Sequence, residues 1–282
     1  MVVVALLGVL ALQDPATAPV RAAPETAHLM LGADASWPQC RHPARLPLAK
    51  RPAFTVIGVN NGVPGTRNPC LDAQLAWAAT ATGGAREPAV AYYVMAADPW
   101  SPFEHRWAKP DWPTSTRWQG HRVAVPKAFG AACHGGHRER SCAYVFGWSV
   151  AHRDAHLAGL PSAGDRTWWI DVEEERDWSA DQRFNEAIIE GMAAYFATPP
   201  SEGGLGARVG LYSNDYFWAT IVGLLRSGSR LAELPNWVPI GPATRDEAVA
   251  AFAHADTFTP GGRVAMLQYV AGGIDHDLAP AP

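Results

Sequence analysis

Thr167-Trp-Trp-Ile-Asp-Val-Glu-Glu-Glu175 is the stretch in which an apolar run ends in two carboxylates at strand spacing. Read as a β-strand, it places Trp169, Asp171 and Glu173 on one face and Trp168, Ile170 and Val172 on the other. The second face is apolar and predicts a cover of helices. The first aims two acids, with Cα atoms roughly 6–7 Å apart, at a common space. Mutual repulsion and partial burial raise the proton affinity of one of them, which is how an acid and a base arise from one residue type. A bare Asp-x-Glu also fits a solvated strand end, so the rest of the chain has to decide between the two readings.

Working outward, apolar runs that end in polar residues recur along the chain. His28–Ser36 delivers Asp34, 54–60 is β-branched and apolar, and 89–97 ends at Asp98-Pro99. After the Asp171 strand come 208–213, 234–240, with prolines suited to a strand start or an edge, and 263–269. Helices are expected between them. Asn68-Pro69 reads as N-cap and first helical position, and 144–157 suits an outer helix. Ser179-Ala-Asp-Gln182 and Thr244-Arg-Asp-Glu247 read as capping boxes, and 216–225 as a short apolar helix. Strands alternating with helices imply parallel pairing. Seven such strands with polar C-terminal ends predict an α/β fold, an irregular (β/α) TIM-like barrel with its site on that face. An open doubly wound sheet is the alternative, but no Gly-x-Gly-x-x-Gly fingerprint supports it.

The chain has 282 residues, 48% of them hydrophobic, and a net charge of −4. That balance gives no electrostatic case for nucleic acid or for an anionic membrane. Met1–Leu12 is an apolar run too short to span a bilayer, followed by small residues. Residues 1–25 therefore read as a secretory signal, although no Lys or Arg precedes the run. Residues 28–280 read as one barrel domain, secreted and monomeric. Cys40, Cys70, Cys133 and Cys142 fit two disulfides of an exported chain. Three pairings are open, with 40–70 and 133–142 preferred. Cys133, His134, His137 and Cys142 could instead hold zinc, but they lack the tight Cys-x-x-Cys spacing, and neither metal nor cofactor is expected. Twelve tryptophans, four of them between Trp100 and Gly120, supply flat faces of the kind that sugar rings stack on.

Several motifs occur in a fixed order: Gly32-x-Asp34-x-Ser36-x-x-Gln39, Asp171-Val-Glu173, Gly210-Leu-Tyr-Ser213 followed by Phe217-Trp218, Trp237, and Gln268-Tyr269 followed by Ile274-Asp275. With them the chain resembles glycoside hydrolase family 25 over nearly its whole length after residue 28. It is most similar to the secreted actinobacterial members described as glycoside-hydrolase-like, through Ser36-Trp-Pro-Gln-Cys40, Asn68-Pro-Cys-Leu71 and Trp168-Trp-x-Asp-Val-Glu173. The resemblance implies lysozyme-type cleavage of the β-1,4 bond between N-acetylmuramic acid and N-acetylglucosamine in peptidoglycan. It implies Glu173 as general acid, and Asp171 and Asp34 as groups that stabilise the sugar cation or orient its acetamido group. Asp275 matches a further family Asp, with Asp277 as the alternative. Trp169, Tyr212, Trp237, Gln268, Tyr269 and Gln39 are the expected sugar contacts. Two departures stand out: a compressed tail that lacks the family's closing Asn, and the Trp-rich insertion at 100–142.

Two rivals follow from the same residues. Gly147-Trp-Ser149-Val-Ala151 is one residue from a nucleophile elbow, with His134-Gly-Gly136 as an oxyanion imitation and Asp171 and His276 following in order, so a serine hydrolase using Ser149 is one. The other is a barrel that binds glycan without cutting it.

Overall fold

In the computed structural model, residues 28–41, 51–83, 89–99, 112–160, 162–173 and 178–281 are described. The expected secretory segment, Trp100 and Trp107 of the insertion, and Glu174 and Glu175 lie outside the described residues. In chain order the strands are β1 (Leu29–Ala35), β2 (Thr55–Gly58), β3 (Val90–Met95), β4 (Arg117–Trp118), β5 (His121–Arg122), β6 (Thr167–Asp171), β7 (Arg208–Tyr212), β8 (Asn236–Pro242), β9 (Val264–Ala271) and β10 (Ile274–Pro280). The helices are α1 (Leu71–Ala78), α2 (Arg140–Ala158), α3 (Gln182–Ala197), α4 (Asp215–Ile221) and α5 (Arg245–Phe252).

Eight strands close into a barrel in the order β1-β10-β9-β8-β7-β6-β3-β2, and β4 and β5 form a separate hairpin. The seven strands expected from sequence are all present and run parallel where they meet one another. All-parallel pairing is corrected by β10, which lies antiparallel to both β9 and β1. Its Asp275 and Asp277 occupy alternate positions that would be apolar in an ordinary strand, which hid it from a hydrophobicity reading. The signal was the turn. Gly272 and Gly273 both have positive φ, 61° and 75°, the requirement of the two-residue hairpin turn that matches strand twist.

The two faces of β6 part as its alternation predicts. Trp168, Ile170 and Val172 pack outward among the helices, with Trp168 stacked on Phe196 of α3 at 4.7 Å. Trp169 points into the barrel with Phe54, Trp237 and Met266. Gly210 and Gly32 make room for that plug: a Cβ on Gly210 would lie 2.3 Å from the Trp169 ring, and one on Gly32 would lie 2.4 Å from Phe54. The lower barrel is therefore solid, and any cavity must sit above Trp169.

Two cap assignments change. α1 starts after Cys70 rather than at Pro69, because Asn68 turns inward. Its amide donates to Gly58 O and Gln74 Oε1, while its Oδ1 accepts the Cys70 N–H. α3 is capped by Asp181, which accepts from Arg183 N and Phe184 N, while Ser179 Oγ accepts from Asp181 N. The Thr244 capping box on α5 forms as expected.

The expected outer helix is α2. It ends the serine-hydrolase reading, because Ser149 lies in the middle of the helix, fully buried, with its hydroxyl donating to Phe146 O. Gly147 serves helix packing instead of an elbow: a Cβ there would meet Ile188 O of α3 at 1.9 Å.

The disulfides are Cys40–Cys70 and Cys133–Cys142, and no cysteine is free. The first ties the turn after β1 to the start of α1 across 30 residues, a closure worth roughly 3–4 kcal/mol. With both sulfurs of Cys133 and Cys142 bonded, their grouping with Glu139 offers no thiolate to zinc.

Candidate active site

Each acid of the site is placed by the C-terminal end of a barrel strand or by the closing hairpin. β1 ends at Asp34 and Ala35, and a 3₁₀ turn, Trp37–Arg41, then carries Gln39 back over the mouth. β6 ends at Asp171, with Glu173 two residues further on. β10 brings Asp275 from the antiparallel side. Asp34, Asp171, Glu173 and Asp275 line one cavity of about 250 Å³, together with Ser36, Pro38, Gln39, Tyr93, Tyr212, Trp237 and Gln268.

Hydrogen bonds hold the walls in register. Tyr212 OH donates to Gln268 Oε1 at 2.8 Å, and Gln268 Nε2 donates to Asp34 Oδ2 at 2.8 Å. On the other side Gln39 Oε1 accepts the Ser36 N–H at 2.9 Å, and Gln39 Nε2 donates to Asp275 Oδ2 at 3.2 Å. Below them, Trp237 Nε1 donates to Asp277 Oδ1 at 3.0 Å. Each glutamine is thus fixed at its oxygen and offers its amide to a carboxylate, which orients that carboxylate without adding charge.

Burial dominates the electrostatics. It pushes Asp34 well above the usual carboxylate range, and the charge of Asp275 adds to the rise. Asp275 is raised by burial and partly relieved by His276. Asp277 is raised well above that range by burial and by the charges of Asp34 and Asp275. Tyr93 and Tyr212 are held neutral by burial and by the surrounding acids, so both act as hydroxyl donors at neutral pH.

Of the expected sugar contacts, Tyr212, Trp237, Gln268 and Gln39 line the cavity. Two do not. Trp169 is fully buried in the plug below the acids and presents no face to a ligand. Tyr269 points the other way, packed with Ala248, Leu267 and Leu278 under α5 and stacked on His276 at 5.2 Å. Adjacent strand residues face opposite sides, so Gln268 and Tyr269 could not both face inward.

Tyr93 was missed. In 89–97 the neighbours Tyr92 and Tyr93 are both aromatic and the flanks are apolar on both faces, so alternation could not choose between them. The structure sends Tyr92 outward onto Trp168 and Tyr93 inward. A second groove of about 600 Å³ is lined by Asp98, His137, Arg138, Trp178, Ser179 and Phe184. Trp178 connects it to the acids, since its indole N–H donates to Glu173 O at 3.0 Å.

Comparison with known proteins bears on this arrangement. Residues 161–269 match the family model described as Lys-1: Lysozyme-like protein 1. Over 94 residues the chain is 35% identical to Lysozyme-like protein 5 of Caenorhabditis elegans, covering 33% of this chain and 40% of that protein. Over 105 residues it is 30% identical to Probable GH family 25 lysozyme 4 of Dictyostelium discoideum, covering 37% and 42%. The matches thus span about two-fifths of the length of these relatives. The family GH25 lysozyme of Aspergillus fumigatus superposes with a TM-score of 0.52 at 13% identity, covering 90% of this chain and 95% of that one, a likeness of fold. The barrel is thus similar in fold to a family GH25 lysozyme, and the segment that carries Asp171, Tyr212 and Gln268 is similar in sequence to lysozyme-like proteins.

Proposed function

We propose that this protein is a glycosidase that cleaves the β-1,4 bond between N-acetylmuramic acid and N-acetylglucosamine in bacterial peptidoglycan, with Glu173 as the general acid. The observation that carries the reading is the convergence of Asp34, Asp171, Glu173 and Asp275 on one small cavity above a solid barrel. Half-buried Glu173 sits where a glycosidic oxygen would enter from solvent, and it gives its proton to that oxygen as the bond to the anomeric carbon breaks. Asp171 and Asp34 stabilise the positive charge that develops on the ring or hold the acetamido group that attacks the anomeric carbon from within the sugar. With an internal nucleophile, the carboxylate-separation rule does not set the stereochemical outcome. Tyr93 and Gln39 supply neutral donors for the sugar hydroxyls, the oxygen of Tyr212 is left as an acceptor, and Trp237 supplies an apolar wall.

Residues 28–280 form the catalytic domain in this reading, and residues 1–25 a secretory leader that directs it outside the cell. The two disulfides agree with that compartment. The substrate is peptidoglycan, and the protein acts as a monomer.

Incubation of the secreted protein with purified peptidoglycan should release new reducing ends, and Glu173→Gln should abolish the release while the protein still binds the polymer. Sedimentation with peptidoglycan without release by the wild type would make this a binding barrel instead. Undiminished release by Glu173→Gln would remove the assigned acid.

A further inference from the structure

Asp277 lies at the bottom of the acid cavity, and its hydrogen bonding does not close as an ion. The side chain is fully buried. One oxygen accepts the Trp237 indole N–H, and the other has no solvent access and no conventional donor. Asp34 lies two residues along β1 from Gly32, the register partner of Asp277, so the two side chains share the inward face as diagonal neighbours across the β1–β10 pair, and their carboxyls interact. Two ionised carboxylates are acceptors only, so they cannot bond to each other and repel at contact. A buried charge without a donor is strongly disfavoured. The missing donor is a proton on one of the pair.

Of the two, Asp34 is the better anion. It is nearer the mouth and already accepts the Gln268 amide. Asp277 is deeper, and its single donor is a neutral indole. We infer that Asp277 carries a proton in the resting protein and donates it in a hydrogen bond to Asp34, so that Asp34 is held as an anion between Gln268 and a neutral Asp277. The titratable groups around the pair act on it together. Asp275 faces it from β10, Tyr93 from β3, Tyr212 from β7, and Asp171 and Glu173 from β6, while His276 projects from the outer face of β10 beside Tyr269. Asp277 is then a positioning residue. It touches no substrate and acts through Asp34, and in that sense the inference rests on the proposed role of Asp34.

The test is a titration of the full chain labelled with ¹³C at aspartate side-chain carboxyls, with the Asp277 resonance assigned by its loss in Asp277→Asn. The expected result is an Asp277 signal that stays at its protonated position from about pH 4 to about pH 7, where an ordinary aspartate ionises near 3.9. Asp277→Leu, which keeps bulk but cannot donate, should lower kcat by about tenfold with KM within about twofold, and Asp277→Asn, whose amide replaces the O–H donor, should recover that loss. Ionisation of Asp277 in the ordinary range would overturn the inference, as would failure of Asp277→Asn to fold or to recover more activity than Asp277→Leu. The resonance is read without substrate, so it judges the shared proton whether or not the wild type releases reducing ends.

Discussion

β6 and β10 both bring carboxylates to the mouth of the barrel, and the extremes of that set, Glu173 and Asp277, differ in exposure. Asp171 ends a parallel strand and Glu173 follows it, so both acids sit at the rim where the chain leaves the sheet. β10 is the return arm of a hairpin, and its acids are set within the barrel wall, opposite Val270 and Gln268 of β9. Asp277 is fully buried there, whereas Glu173 is half-buried. A strand end can offer an acid to a ligand. A buried strand interior, as at Asp277, has to neutralise one, although Asp275 two residues before it on β10 still reaches the cavity. On the proposed reading the same residue type serves chemistry at Glu173 and support at Asp277.

The sharpest way to break this contrast is Glu173→Gln. If the β6 acids do the chemistry, kcat for reducing-end release should fall by about 10²–10⁴-fold with KM nearly unchanged, because only the proton donor is lost. A change confined to KM would place Glu173 among the binding groups.

Trp169→Ala tests the floor that separates the two sets of acids from the lower barrel. Emptying a fully buried indole site should cost about 3–5 kcal/mol, read as a lower denaturant midpoint at constant slope. A loss below about 1 kcal/mol would mean that the barrel is not packed as described.

The pH dependence of stability sharpens the contrast next. Asp34, Asp275 and Asp277 all have raised proton affinity in the folded state, chiefly through burial. The folded chain therefore holds protons that the unfolded chain has released above about pH 4. Their contribution is fully present below that pH and is lost as pH rises through the folded-state values. Each such proton contributes a slope of up to about 1.4 kcal/mol per pH unit. Melting temperatures should fall between mildly acidic and neutral pH, and Asp277→Asn should flatten the fall by one proton's worth. An identical slope in the variant would mean that Asp277 ionises as it does in the unfolded chain.

The smallest expected effect is at Trp178. Trp178→Phe keeps a ring in the second groove but removes the hydrogen bond to the Glu173 carbonyl, a loss of about 1 kcal/mol or roughly fivefold in kcat. An equal loss in KM alone would show that Trp178 serves the ligand and not the placement of the acid.

Much of this was legible in one dimension because alternation is a local property. The pattern of 167–173 fixed both faces of β6, and Trp168 and Trp169 lie on the sides it assigned. The Asp34 and Asp171 strands, the outer helix α2 and the Thr244 cap follow from short-range patterns in the same way. Local patterns failed where two readings were degenerate. Tyr92-Tyr93 gave no parity, and Asn68 had the chemistry of a cap but found better partners in Gly58 and Gln74.

By itself the sequence determined the strand and helix succession, the acids that strand ends carry and the cysteines available for pairing. Only the tertiary structure decided that β10 closes the barrel antiparallel, that Trp169 is a floor and not a platform, and that Asp34 and Asp277 meet. The physical reason is range. Backbone periodicity acts over a few residues, whereas burial and carboxyl contact depend on which distant strands the closed barrel makes neighbours.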